Sequence, residues 1–127
     1  MKYRIMVIED DPVIREELCI LLKGNGYEVG SVTDFTDTLE QIREWQPHLL
    51  LLDIMMPDMD GYEVIRHLKA DPALQDIPVI FLTALHNPED IVKGFKLGAS
   101  DYVSKPFNHE ELITRVSHHI YLAAAQR

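Results

Sequence analysis

The sequence holds a single cysteine, Cys19, in 127 residues, which excludes an internal disulfide and suits a reducing cytoplasm. Inside a predicted helix, Cys19 reads as packing filler rather than a nucleophile. No apolar run approaches the ~18 residues of a membrane span, and the chain enters a strand-like run directly, without a signal-peptide pattern. Both point to a cytoplasmic chain away from membranes. Positive charge is scarce: 12 Lys and Arg against 21 Asp and Glu leave a net charge of −9. Gripping nucleic acid needs a basic face, so direct binding by this domain is disfavoured, while a cation or a basic partner suits it. The first turn lacks G-x-G-x-x-G and carries acids that would repel phosphate, which argues against a flavin or nucleotide binder. Repeats, low-complexity stretches and internal linkers are missing as well. Six histidines, His118-His119 among them, show no metal-ligand spacing and read as surface or helix-face residues.

What is present is an alternation of strand and helix signals, five times over. Strands are expected at 3–9, 27–32, 48–53, 77–82 and 100–104. Helices are expected at 12–24, 35–45, from the end of a loop at 54–61 to about 70, at 88–97 and from about 108. The first helix carries Ile14, Leu18, Leu21 and Leu22 on one face, and the last carries Leu112, Ile113, Val116 and Ile120. Pro12 suits a first turn; Thr33 or Asp34 would cap the second helix; Gly24, Gly26 and Gly98 punctuate helix ends. Trp45 reads as a packing residue on the second helix. Alternation of this kind implies a mostly parallel sheet with helices on both faces and right-handed crossovers. One core suffices for this length.

The chemistry sits at strand ends. His48-Leu49-Leu50-Leu51-Leu52-Asp53 buries four leucines and then delivers a carboxylate. The first strand ends in Glu9-Asp10-Asp11, the fourth in Thr83 and the fifth in Lys105-Pro106. In open parallel sheets the carboxyl ends of the strands are where ligands bind. Acids crowded there repel one another and call for a cation. Hard oxygen donors with room for water suit Mg²⁺. Asp53 then has two readings, ligand or nucleophile, since a carboxylate attacking phosphorus gives an aspartyl phosphate. Lys105 would neutralise developing charge and Thr83 would donate to a phosphate oxygen. Pro106 restricts Lys105 to extended backbone, and a cis bond there would aim the lysine inward.

The chain resembles the receiver domain of bacterial two-component response regulators. The matching pieces are Val7-Ile8-Glu9-Asp10-Asp11, Leu51 through Gly61 with Asp53 and Pro57-Asp58, Phe81-Leu82-Thr83-Ala84, and Gly98-Ala99-Ser100-Asp101-Tyr102-Val103-Ser104-Lys105-Pro106-Phe107. They fall in order across residues 4–120. The resemblance implies a flavodoxin-like (βα)5 doubly wound parallel sheet of strand order 2-1-3-4-5. It implies a receiver domain over 1–122, with 123–127 ending the last helix and leading toward an effector.

Carried over to this numbering, the resemblance makes Asp53 the phospho-acceptor. Asp10, Asp53, the backbone carbonyl of Met55 and, through water, Glu9 hold Mg²⁺. Thr83 and Lys105 bind the phosphoryl oxygens, Tyr102 is the aromatic switch and Asp11 lies behind the ligands. The implied donor is a sensor histidine kinase or phosphotransfer domain. The implied output is an effector domain or protein, reached through the face of the fourth helix, fifth strand and fifth helix, where a homodimer is also implied. Catalysis is limited to the domain's own phosphorylation and dephosphorylation. A phosphatase or mutase with an aspartyl nucleophile wants a second Asp two residues on, where Met55 stands. Met55 and Leu85 are apolar and cannot hold an attacking water, so slow self-hydrolysis is expected. Met56 and Met59 offer a soft docking surface beside the site. Asp58-Met59-Asp60-Gly61 echoes a calcium loop without its spacing and reads as a plain turn, with Gly61 supplying an unusual backbone angle. Asp101 and Arg115 are expected to pair, within the chain or across a dimer.

Overall fold

The computed structural model describes residues 2–32, 35–57, 59–84 and 87–125. Five strands, β1 (Arg4–Ile8), β2 (Glu28–Ser31), β3 (Leu49–Asp53), β4 (Val79–Thr83) and β5 (Asp101–Ser104), form one sheet of order β2-β1-β3-β4-β5. Every neighbouring pair is parallel. Five α-helices, α1 (Pro12–Gly24), α2 (Thr38–Trp45), α3 (Gly61–Ala70), α4 (Pro88–Lys96) and α5 (His109–Ala125), alternate with them. The expected doubly wound flavodoxin-like order is the one observed.

Side-chain alternation along the strands makes two cores. Met6, Ile8, Leu50, Leu52, Val79 and Phe81 face α2, α3 and α4. Ile5, Val7, Leu49, Leu51, Ile80, Leu82 and Val103 face α1 and α5. β3 and β4 are buried at all five of their positions, as strands covered on both faces must be. Leu18 and Leu22 of α1, and Leu112, Val116 and Ile120 of α5, fill the second core, with Ile14, Leu21 and Ile113 half-buried beside them. Trp45 packs against the first core and its indole lies flush on Gly30.

The departures from expectation have local causes. Residues 77 and 78 stay outside β4: Pro78 has no N–H and contributes only its carbonyl, to Leu50 N–H at 3.0 Å, while the strand runs on through Thr83. The second helix opens with a 3-10 turn, Phe35–Asp37, and its expected caps, Thr33 and Asp34, lie outside the described residues. The loop expected over 54–61 contains a short antiparallel pairing, Met55–Met56 with Met59–Asp60. Asp60 then caps α3 by accepting from Tyr62 N–H at 2.9 Å. Gly61 needs no unusual backbone angle, since the glycines with positive φ are Gly26 and Gly98. Its requirement is space: a methyl there would stand 2.7 Å from Ile54 Cα and 2.9 Å from the Asp53 carbonyl oxygen. α3 thereby starts directly against the end of β3. Among the described residues no helix is long and apolar enough to cross a membrane.

Candidate functional site

The carboxyl ends of β1, β3, β4 and β5 share one edge of the sheet, and the four sequence-predicted groups meet there. Asp53 closes β3 and is 3% exposed; Glu9, just past β1, is fully buried; Thr83 closes β4 and is buried. Lys105 follows β5 across a cis Lys105–Pro106 bond. Its ammonium lies 2.9 Å from Glu9 Oε2 and 3.2 Å from Asp53 Oδ2. Met55 N–H donates to Asp53 Oδ1 at 3.2 Å, which fixes the carboxylate from the hairpin side. Asp11 N–H donates to Glu9 Oε1 at 3.3 Å. One carboxylate oxygen from each of Glu9, Asp10 and Asp53 lies within 4.8 Å of the other two.

Burial pushes the Asp53 carboxyl above its ordinary pKa; Lys105 and the Met55 N–H pull it back without cancelling that effect. Burial raises Glu9 too, with the Lys105 bond opposing and the Asp53 charge reinforcing the shift. For Lys105 burial works against the ammonium, but its bonds and charge attraction to Glu9 and Asp53 outweigh it and hold its pKa up. Three ionised carboxylates against one ammonium leave two negative charges over. Arg15 does not remove that excess by pairing with a carboxylate, since its Nη1 donates to the backbone carbonyl of Glu9 at 3.1 Å. All three ligand candidates are hard oxygens, so the donor set fits a divalent hard cation such as Mg²⁺.

Several roles were not visible in the sequence. Asp11 caps α1, accepting from Val13 N–H at 2.9 Å and Ile14 N–H at 3.4 Å. An Asp before a Pro at the first helical position is the signal that would have found it. Asp101 and Arg115, expected to pair, do so within the chain, at 2.8 and 3.0 Å. His119, expected at the surface or on a helix face, is half-buried with Nε2 3.1 Å from Asp101 Oδ2. Its place one turn after Arg115 on the same helix face was the available clue. Tyr102 is half-buried beside Phe81. Leu85 and Asp58 lie outside the described residues.

Fold and site together define a doubly wound α/β module whose sheet edge carries a buried carboxylate centre. The chain belongs to the response regulator receiver domains, whose family model matches residues 5–117. It is 42% identical over 116 residues to the phosphate regulon transcriptional regulatory protein PhoB of Escherichia coli K12, covering 91% of this chain and 51% of PhoB. It is 43% identical over 116 residues to the DNA-binding response regulator MtrA of Mycolicibacterium smegmatis, covering 91% of this chain and 50% of MtrA. The chain therefore spans about half the length of the curated relatives it matches. The solved structure of the BeF3-activated DrrB receiver domain superposes with a TM-score of 0.84 at 36% identity, over 95% of this chain and 99% of DrrB's. Receiver domains of this family serve phospho-accepting two-component signalling, and magnesium is typical of them.

Proposed function

We propose that Asp53 accepts a phosphoryl group from a phosphohistidine of a sensor kinase or phosphotransfer domain. The observation that carries this reading is the convergence of Asp53, Glu9, Asp10 and Lys105 on one sheet edge. An Asp53 carboxylate oxygen forms the new bond to phosphorus as the phosphorus–nitrogen bond to the donor imidazole breaks, leaving an acyl phosphate and a free imidazole. Asp10, Asp53, the Met55 carbonyl and, through water, Glu9 would hold Mg²⁺. When bound, the ion neutralises charge on the phosphoryl oxygens. Lys105 exchanges part of its pairing with Glu9 and Asp53 for a phosphoryl oxygen, and Thr83 donates its hydroxyl to another. The Met55 N–H holds Asp53 in place for attack.

Drawing Thr83 to the phosphoryl group opens space beside β5 for the Tyr102 ring. The face of α4, β5 and α5 then changes, and with it the contact to an effector domain or protein. Both arrangements exist beforehand, and phosphorylation selects between them. A homodimer through this face would be built beside an Asp101–Arg115 pair already satisfied within the chain. The domain catalyses only its own phosphorylation and dephosphorylation, in the cytoplasm. Residues 1–122 form the receiver, and 123–127 lead toward the effector. The relatives' names, transcriptional regulatory protein and DNA-binding response regulator, favour a DNA-binding effector.

The test is intact mass after acetyl phosphate, with and without Mg²⁺, on the protein and on Asp53→Asn. A single Mg²⁺-dependent phosphoryl adduct, missing in the variant, is expected. No adduct, under conditions that label another receiver, overturns the reading in favour of a phosphate-independent binding module.

A further inference from the structure

The first core contains an aromatic seat under α4. Phe81, on β4 two residues before Thr83, is 1% exposed. Across the strands it is in register with Tyr102, and the two rings stack, centroids 5.8 Å apart and planes at 25°. Phe95 of α4 meets both edge-on, at 6.0 Å from Phe81 and 6.1 Å from Tyr102. The helix reaches this close because Gly94, buried on its inner face, has no side chain. A methyl there would stand 2.6 Å from Phe81 Cε1 and 2.7 Å from Cζ. Ordinary carbon contacts begin near 3.4 Å, and the Phe81 ring, enclosed in a dense core, has nowhere to retreat. Two further contacts hold α4 down: Tyr62 donates its hydroxyl to the Asp90 carbonyl at 3.1 Å, and Lys93 Nζ lies 4.3 Å over the Tyr62 ring.

We propose that Gly94 and Phe81 are positioning residues that couple the height of α4 to the placement of the Tyr102 ring. The coupling is steric. α4 rests on the Phe81 ring at the notch left by Gly94, and Tyr102 is stacked on that same ring, with Phe95 closing the group from the helix side. Moving α4 off the sheet removes the edge-on partner of Tyr102; moving Tyr102 off Phe81 uncovers the seat of α4. Packed groups of this kind have discrete arrangements rather than a continuous range, so helix and ring change together. The inference rests on the proposed role of Asp53, because the ring that shares the seat borders the strand ending in Thr83. A perturbation that lifts α4 therefore reaches the Tyr102 ring and, through the register of β4 with β5, the strand end at Thr83.

The experiment compares the protein with Gly94→Ala, Phe81→Leu and the double variant, with Gly24→Ala as a control. Gly24 lies in α1 with open space around it, so that substitution changes helix propensity without a clash. Two quantities are read: the rate of phosphorylation by acetyl phosphate with Mg²⁺, and the Tyr102 ring signals by NMR without any phosphoryl donor. Gly94→Ala is expected to change the rate about fivefold or more and to shift the Tyr102 signals. In the Phe81→Leu background the same substitution is expected to change both little, since the added methyl no longer meets a ring. Gly24→Ala should leave both unchanged. An equal Gly94→Ala effect in the two backgrounds, or unmoved Tyr102 signals, overturns the proposal. If the unsubstituted protein takes up no phosphoryl group, the role of Asp53 falls, while the Tyr102 signals still decide whether the seat couples helix to ring.

Discussion

Removing the charge of Asp53 should make the protein more stable when no divalent cation is present. Glu9 is fully buried and Asp53 is 3% exposed, and the nearest oxygens of Glu9, Asp10 and Asp53 are at most 4.8 Å apart. At that separation two unit charges repel by about 3–4 kcal/mol for an effective dielectric near 20. Asp53→Asn abolishes the Asp53 part of that repulsion and lessens the desolvation cost, while keeping an oxygen for the Met55 N–H. It also removes the 3.2 Å contact to Lys105, but Lys105 keeps Glu9 at 2.9 Å. The net gain should be about 1–2 kcal/mol, or roughly 3–8 °C in Tm for a domain of this size.

The gain should also depend on pH. Glu9 and Asp53 both have folded pKa values raised by burial. A raised carboxyl favours the fold while it is protonated, and that contribution is lost as pH rises through the folded pKa. The advantage of Asp53→Asn should therefore be small near pH 4 and widen toward pH 7. Urea denaturation and thermal melts in EDTA across that range measure it, and adding Mg²⁺ should stabilise the parent more than the variant. A variant less stable than the parent by about 1 kcal/mol or more at pH 7 in EDTA, or an advantage that does not change with pH, would refute the electrostatic account of the site.

Three further outcomes are expected. Gly61→Ala should destabilise by about 1–3 kcal/mol in urea denaturation, despite alanine's better helix propensity, because the clash at 2.7 Å is with backbone; a neutral result would mean that α3 shifts freely. Burial alone would raise the Asp101 pKa, but bonds from His119, the Tyr102 N–H and Arg115 hold it below the ordinary value. A depressed carboxyl stabilises above its unfolded pKa and loses that contribution as pH falls through the folded one. Asp101→Asn should thus cost about 1–2 kcal/mol at pH 7, with the difference shrinking below about pH 4 in acid denaturation; a constant gap would count against the network. Met55→Asn combined with Leu85→Glu should shorten the phosphoryl half-life, since both introduce groups that hold water; an unchanged decay would mean that these positions do not govern hydrolysis.

Much of the architecture was legible because its signals are local. Four consecutive leucines before Asp53 are sensible only in a strand covered on both faces, and Pro12 and Gly98 punctuate helices through their own backbone limits. The alternation of strands and helices then dictates a parallel sheet, and a parallel sheet brings the ends of β1, β3, β4 and β5 to one edge. The placement of Glu9, Asp10, Asp53, Thr83 and Lys105 at that edge could be anticipated from that alone. Only the tertiary structure decided which partner each group takes. Lys105 divides itself between Glu9 and Asp53, Asp101 closes on Arg115 and His119 within the chain, and Asp11 turns to the helix rather than the site. The same holds for Gly61 and Gly94, whose lack of a side chain matters because of what faces them: the backbone at Ile54 and the ring of Phe81, 7 and 13 positions away in sequence. Periodicity and punctuation are properties of neighbours along the chain, whereas close packing and charge pairing depend on distances that exist only once the sheet and its helices have come together.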